Sequence, residues 1–329
     1  MTEFGVVTTV ASTKRAVVFA EAAEEMGFSR VGMADTAPRL YHAPYPAITA
    51  ALMRTSRIAV GTYVTNPVNR HWSVHAGTAR ALEELAPGRN FLGIATGDGA
   101  VHSVGLKPAK LDAFDGYMRE LRAIWPEGAR IHMAFSGLKG CEFAGRYADE
   151  LTIAVGLDAG AIRTLAARAT EPRKAAGIET PLRIWINPLA YIVETESEVE
   201  PMRKSLRTLA YSGARFSFGP SMEGKNVPEH MQAIMRAQLE KYDYAFHGRV
   251  GDNPNAHLFD DHPEIEEYLI DRFTLAGTAD QCVRRLEQLI GEVDISGVWF
   301  PTIPRTAQLG DHLTDLAALE RAFRPLMQR

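Results

Sequence analysis

The 329-residue chain has only two cysteines, Cys141 and Cys282. Two so far apart make neither a disulfide framework nor a metal knuckle, so both are expected to be buried, inert thiols. Basic residues form no cluster and the formal net charge is −4, so neither nucleic acid nor an anionic membrane surface is an expected partner. A small-molecule substrate is the expectation instead. No apolar run reaches membrane-spanning length, and MTEFGVVTTV lacks the basic and apolar regions of a signal peptide, which points to a cytoplasmic location. Missing too are a G-x-S-x-G elbow and a P-loop, and GDGAVHSVG does not keep the spacing of a dinucleotide fingerprint. His71 and His75 stand four apart, yet Trp72, Ser73 and Val74 offer no third ligand, so no metal site is expected.

What the chain does have is rhythm. Apolar residues make up 46% and charged residues 23%, enough to bury a large core. Short apolar runs at 3–10, 30–35, 57–64, 90–96, 130–135, 150–155, 183–194 and 296–303 alternate with stretches of helical period. Their hydrophobicity is continuous rather than alternating, as in strands of a parallel sheet covered on both faces. Eight such units predict a (β/α)8 barrel, 1–329 as one domain, with a doubly wound open sheet as the alternative. After the seventh run, 212–263 is rich in Gly, Pro, Asn, His and Asp around one helical piece. It reads either as a lid over the barrel mouth or as a surface excursion.

In a barrel, the residues at C-terminal strand ends share the mouth. They include Asp35 and Thr36, Tyr63 to Asn66, Thr96 to Asp98, Phe135 to Gly137, and Gly156. This small, polar, glycine-rich set suits a planar, phosphate-bearing cofactor better than a metal. A helix starting near Leu138 would offer backbone N–H groups to a phosphate, with Ser136 and Lys139 adding a hydroxyl and a cation; Ser136 reads equally as a helix cap. Asp35 and Asp98 are candidates for acid or base work, or for capping.

The run TNPVNRHWSVHAGTARALEELAPGRNFLGIATGDGAV, with ASTKRAVVFAEAAEEMGFSRVGMAD before it and SGLKGCEFAGRYADELTIAVG and DRFTLAGTADQCVRRLEQL after it, resembles the bacterial-luciferase-like superfamily. Within it, the chain is similar to the methylenetetrahydromethanopterin-reductase-like branch. The resemblance spans the chain and implies a barrel that binds FMN or the deazaflavin coenzyme F420 at its mouth. It also implies a cofactor phosphate at Ser136, Gly137 and Leu138, and a non-proline cis peptide at Tyr63–Val64, or one residue earlier at Thr62–Tyr63. Thr65 and Asn66 would lie beside the ring, Ala95 near its reactive edge, and Asp98 at a carboxylate used by deazaflavin members.

Departures from the pattern also matter. Relatives with Asp-His after the second strand contrast with Asp35-Thr36 here, leaving His42 or His102 to replace the imidazole. Thr96 stands where some FMN-binding members have an arginine, and an excursion before the fifth strand is cut to PEGAR, so one wall of the mouth is expected to be open. Reduced FMN in a two-component monooxygenase, supplied by a separate flavin reductase, is the favoured reading because of Ser136 and the thin basic groove; F420-dependent hydride transfer is the alternative, and a cofactor-free barrel the third. Tyr41, His42, His102, Tyr45, Trp72 and the lid aromatics Tyr242, Tyr244 and Phe246 would line the substrate pocket, or pack in the core, and a homodimer is the default assembly.

Overall fold

A computed structural model describes residues 2–36, 41–246, 253–302 and 309–328. Ten strands occur in it: β1 (Glu3–Thr9), β2 (Arg30–Ala34), β3 (Ala59–Thr65), β4 (Asn90–Ile94), β5 (Arg130–Phe135), β6 (Glu150–Ile153), β7 (Arg183–Ile186), β8 (Leu189–Val193), β9 (Thr274–Thr278) and β10 (Gly297–Pro301). Eight of them close into a parallel barrel in the order β1-β10-β7-β6-β5-β4-β3-β2, with helices between successive strands. This is the expected (β/α)8 architecture. The end of the eighth predicted run, Ile303, and residues 247–252 of the predicted lid lie outside the described residues.

Local chemistry explains how the units begin and end. The helix Thr13–Glu25 starts where the Ser12 side chain accepts from the Arg15 N–H, and the chain leaves it at Gly27 with φ +84°. Helix Ala279–Glu292 opens on a capping box formed by Thr278 and Gln281. Helix Pro44–Arg54 has proline at its start, where the missing N–H costs nothing.

The run 183–194 is not one strand. β7 ends at Ile186, ahead of Asn187 and Pro188, and β8 leaves the barrel to pair in parallel with β9. Pro188 has no N–H for a ladder, which makes the break a natural place for the chain to turn out. The stretch of helical period SEVEPMRKSLRTLA, 197–210, falls across two helices, Glu196–Ser205 and Arg207–Phe218, meeting at Leu206. Ser212 to Phe218 is therefore helical rather than the start of an irregular lid. Between β8 and β9 the inserted segment has an apolar core of its own, built from Tyr211, Phe218, Met235, Phe259, Ile265, Leu269 and Phe273 among others.

The barrel interior is layered. At the N-terminal face, charged residues at the strand starts meet around Glu150, which is fully buried. Arg30 on β2 donates to both Glu150 oxygens, at 2.8 Å for Nη2–Oε1, and its Nε donates to Glu3 at 2.7 Å. Arg183 donates to Glu150 at 3.0 Å and to Glu3 at 2.6 Å, and Arg130 donates to Glu150 at 3.1 Å. His132 Nδ1 lies 3.1 Å from Glu150 and its Nε2 2.7 Å from the Thr152 hydroxyl. A carboxylate only accepts, so Nδ1 carries the proton and Thr152 donates to Nε2. Above this network Val7, Phe91, Trp185 and Trp299 fill the middle of the barrel, with Tyr63 packed on them.

Burial pushes the Glu150 carboxyl up, but the His132 hydrogen bond and the Arg30 charge outweigh it and hold the pKa well below 4.5. A depressed carboxyl stabilises the fold fully above its unfolded pKa and loses that contribution as pH falls through the lower folded value. Glu150→Gln, which leaves Arg30 buried without its main counter-charge, is expected to cost about 3–5 kcal/mol in urea denaturation near neutral pH. The deficit relative to wild type should shrink on acidification below pH 4.5; a pH-independent deficit would contradict the assignment.

Candidate active site

A cleft of about 660 Å³ opens at the C-terminal ends of the strands, within the size range of small-molecule sites. Its lining comes from Ala34 to Thr36 after β2, Tyr63 to Asn66 at the end of β3, Ala95 to Ala100 after β4, and Ala134 to Ser136 at the end of β5. Ala154, Pro108 and, from the inserted segment, Arg215, Phe216, Pro220 and Tyr244 complete it. Of the expected site residues, the structure thus brings together Asp35, Tyr63, Val64, Asn66, Ala95, Thr96, Gly97, Asp98 and Ser136.

The floor is set by β3. The Tyr63–Val64 peptide bond is cis, at the position the family resemblance implied, and the pairing with β4 shifts between Thr62 and Thr65. The Tyr63 ring turns down into the barrel, its centroid 4.7 Å from that of Trp299, and its hydroxyl donates to Thr152 at 3.4 Å. Asn66 is buried; its Oδ1 accepts from the N–H groups of Val68 and Asn69 at 3.1 and 2.9 Å, whereas its buried Nδ2 has no partner. An unpartnered amide donor at the edge of a cleft is costly unless a ligand takes it up. Gly97 has φ +91°, and a β-carbon there would stand 3.0 Å from Val101 and 3.1 Å from Asn66, so glycine lets the chain turn tightly over Asn66.

The two carboxylates differ in their surroundings. Asp35 accepts from the Thr65 hydroxyl at 2.6 Å and from both Arg70 terminal nitrogens, at 3.3 Å for Nη2. Its charge is thus answered within the fold, by an arginine that crosses back from the chain after β3 to the end of β2. His71 caps the helix that follows, accepting from the Ser73 N–H. Asp98 has no such clamp. It makes no side-chain cap, and its Oδ1 lies 3.6 Å from His102 Nε2. Burial raises the Asp98 pKa above 3.8, more than the positive influences of His102 and Arg215 lower it.

The helix Leu138–Tyr147 has Gly137 as its N-cap and no side chain capping its first turn. Ser136 is therefore not the cap; its hydroxyl donates to the Phe216 carbonyl at 3.3 Å, tying the loop after β5 to the inserted segment. Gly137, Leu138 and exposed Lys139 lie beyond the cleft lining, at the helix start beside it. Other expectations fall elsewhere. Thr62 faces β4, its hydroxyl donating to Gly93 O at 2.9 Å. Gly156, φ +76°, packs the barrel on the insertion, since a β-carbon would sit 2.1 Å from Arg272 O. Tyr41 is not in the cleft lining; His42 is exposed, with Nδ1 3.2 Å from the Thr13 hydroxyl. His102 reaches the site only through Asp98 and through its ring, 6.1 Å from that of Tyr244.

His71 and His75 do not converge. His75 is buried, 2.5 Å from the Tyr45 hydroxyl, and burial with the nearby Arg70 charge lowers its pKa to about 4. PEGAR, 126–130, lies beside Glu150 and Arg183 at the N-terminal face, because a segment that leads into a barrel strand ends there. Its shortness does not open the mouth. Tyr244, expected as a lid aromatic, does line the cleft, whereas Arg215 and Phe216 were not anticipated, since nothing local in the sequence marks the end of a helix as part of a cleft.

Residues 2–130 match the model of the luciferase-like monooxygenase family. That first part of the chain is similar to luciferase-like monooxygenases. Over 82 residues it is 34% identical to a 5,10-methylenetetrahydromethanopterin reductase of Methanolobus tindarius, a match covering 25% of this chain and 24% of that one. Over 150 residues it is 33% identical to an F420-dependent hydroxymycolic acid dehydrogenase of Mycobacterium tuberculosis, covering 43% and 40% of the two chains. The matched segments thus span less than half the length of either curated relative. In fold, the barrel is similar to the F420-dependent tetrahydromethanopterin reductase of Methanopyrus kandleri, with TM-score 0.72, 16% identity and 97% and 98% of the two chains covered.

The Asp35–Arg70 pair is a scaffold element of the barrel, so Arg70→Met should act on stability. The buried carboxylate it leaves, held then by Thr65 alone, is expected to cost about 1–3 kcal/mol in thermal or urea unfolding. An unchanged midpoint would show that the pair is not what holds β2 to the chain after β3.

Proposed function

We propose that the chain is an oxidoreductase that holds a flavin-type cofactor in this cleft, with coenzyme F420 as the cofactor and hydride transfer as the reaction. The observation that carries the reading is Asp98, a half-buried carboxyl without a salt-bridging arginine, kept toward its protonated form at the cleft wall. That is the state a proton donor needs beside a group undergoing reduction. Similarity to an F420-dependent hydroxymycolic acid dehydrogenase supports the same choice, while the family match is common to both cofactor readings.

The residues present fit such a group. Val64, Ala95, Ala134 and Ala154 are small and apolar, leaving room for a planar ring. The Asn66 Nδ2 is a donor in need of an acceptor, and the uncapped start of helix Leu138–Tyr147 is a ready place for a phosphate. Tyr63, Val64, Asn66 and Ala95 would hold the ring, and Ser136, Gly137 and Leu138 the phosphate. When bound, the group supplies hydride chemistry. The chain's own part is to orient the substrate, to exclude water with Phe216 and Tyr244, and to deliver a proton from an Asp98 oxygen, with His102 next to it able to reload that oxygen. Asp35, clamped by Arg70 and Thr65, keeps the floor in place rather than moving protons.

The second reading is FMN-dependent monooxygenation with a separate flavin reductase. Ser136, whose hydroxyl lines the cleft, favours it.

Fluorescence titration separates the two: F420 is expected to bind the purified chain and FMN much more weakly. Binding of FMN alone would overturn the deazaflavin reading, and binding of neither would overturn both. In the F420-dependent assay, Asp98→Asn should lower kcat by about 10²-fold or more. Because Asp98 acts as an acid, wild-type kcat should fall as pH rises through its raised pKa, and the Asn variant should lose that limb. A limb that persists in the variant would assign the proton to another group.

A further inference from the structure

We propose that Arg215 makes the cleft selective for substrates bearing a carboxylate, which its guanidinium binds while an apolar or aromatic body lies against Phe216 and Tyr244. This rests on the cleft being the reaction site, as argued above.

Three charged side chains line the cleft among the described residues: Asp35, Asp98 and Arg215. Asp35 is answered by Arg70, and Asp98 has His102 beside it. Arg215 is different. Among the described residues no carboxylate stands within ion-pair distance of it and its guanidinium makes no hydrogen bond; its recorded partner is the face of Tyr244, 5.5 Å from the guanidinium carbon to the ring centroid. Arginine carries five N–H donors in a rigid fork, and at a half-buried position those donors are partly removed from water. Stacking on an aromatic face occupies the flat side of the guanidinium and leaves its N–H edge directed elsewhere, so the edge stays available to an acceptor of matching shape. A carboxylate fits it with two parallel hydrogen bonds.

The arginine is also fixed in place. It sits in the last turn of helix Arg207–Phe218, whose next residue, Phe216, has its carbonyl tied to the Ser136 hydroxyl at 3.3 Å. Neighbouring Phe216 and Tyr244 rings pack at 6.4 Å in an edge arrangement, which supplies an apolar wall beside the cation. A neutral substrate would leave the guanidinium edge half-desolvated and unsatisfied. An acidic substrate would satisfy it and carry its reducible part down toward Asp98 and the floor.

Sodium benzoate, with benzamide as its neutral counterpart of the same shape, is a suitable probe, measured by titration calorimetry on the full chain. Benzoate is expected to bind wild type about tenfold or more tightly than benzamide, to weaken about tenfold in Arg215→Met, and to weaken less in Arg215→Lys, which keeps the charge but loses the bidentate fork. Equal affinity for the two probes, or unchanged benzoate affinity in Arg215→Met with its melting temperature intact, would overturn the inference. Parallel titrations with F420 and FMN distinguish the other claimant on the arginine. Unchanged cofactor affinity in Arg215→Met supports substrate selection, whereas loss of cofactor binding with benzoate unaffected assigns Arg215 to acidic groups of the cofactor and overturns it. If neither cofactor binds wild type while benzoate discrimination by Arg215 persists, the reading of the reaction fails and the acid-selective cleft stands.

Discussion

The Arg30–Glu150 pair, buried across the N-terminal end of the barrel, is the interaction around which the remaining architecture is arranged. It joins β2 to β6, and through Glu3, Arg130, His132 and Arg183 it draws in β1, β5 and β7. Charges that deep are tolerable only when every one is met by an opposite charge and by hydrogen bonds, and here they are. Because the network saturates itself at one end, and an aromatic layer of Trp185, Trp299 and Phe91 seals the middle, the opposite end need not contribute to closing the barrel. That end carries polar groups left open toward the cleft: the Asn66 amide, the Asp98 carboxyl and the Arg215 guanidinium.

Asp35 and Asp98 show how little a residue's type and strand position say about its role. Both follow barrel strands, both line the cleft, and both are acidic. Thr65 and Arg70 fix one as a charged brace. The other, denied such partners and partly buried, is pushed toward neutrality. The difference is made by an arginine 35 residues away from Asp35 in sequence, beyond the reach of any local motif.

The barrel strands were legible because a parallel sheet buried on both faces writes continuous apolar runs, and seven of the eight runs correspond to one barrel strand each. The exception, 183–194, is just as apolar on both sides of Asn187-Pro188, so hydrophobicity hid a break that the proline makes. TLAGT, β9, escaped notice because five residues with two threonines and a glycine between helices carry little strand signal. Helix Pro44–Arg54 was missed because two prolines in its first turn mask a helical pattern, although both are tolerated there. At the mouth, the strand-end residues and the lid aromatic Tyr244 could be read from the chain, whereas Arg215 and Phe216 arrive through the tertiary packing of the insertion.

That insertion has its own apolar core, pinned to the barrel by Gly156 against Arg272 and by Ser136 against Phe216. It is in effect a second, separately consolidated layer that hands a few side chains to a cleft whose floor belongs to the barrel. Division of labour of this kind uncouples two kinds of change. Substitutions on the surface that the insertion turns toward the mouth can alter what the cleft accepts without disturbing the strands beneath, so new specificities can accumulate on the cap while the reactive bed stays as it is.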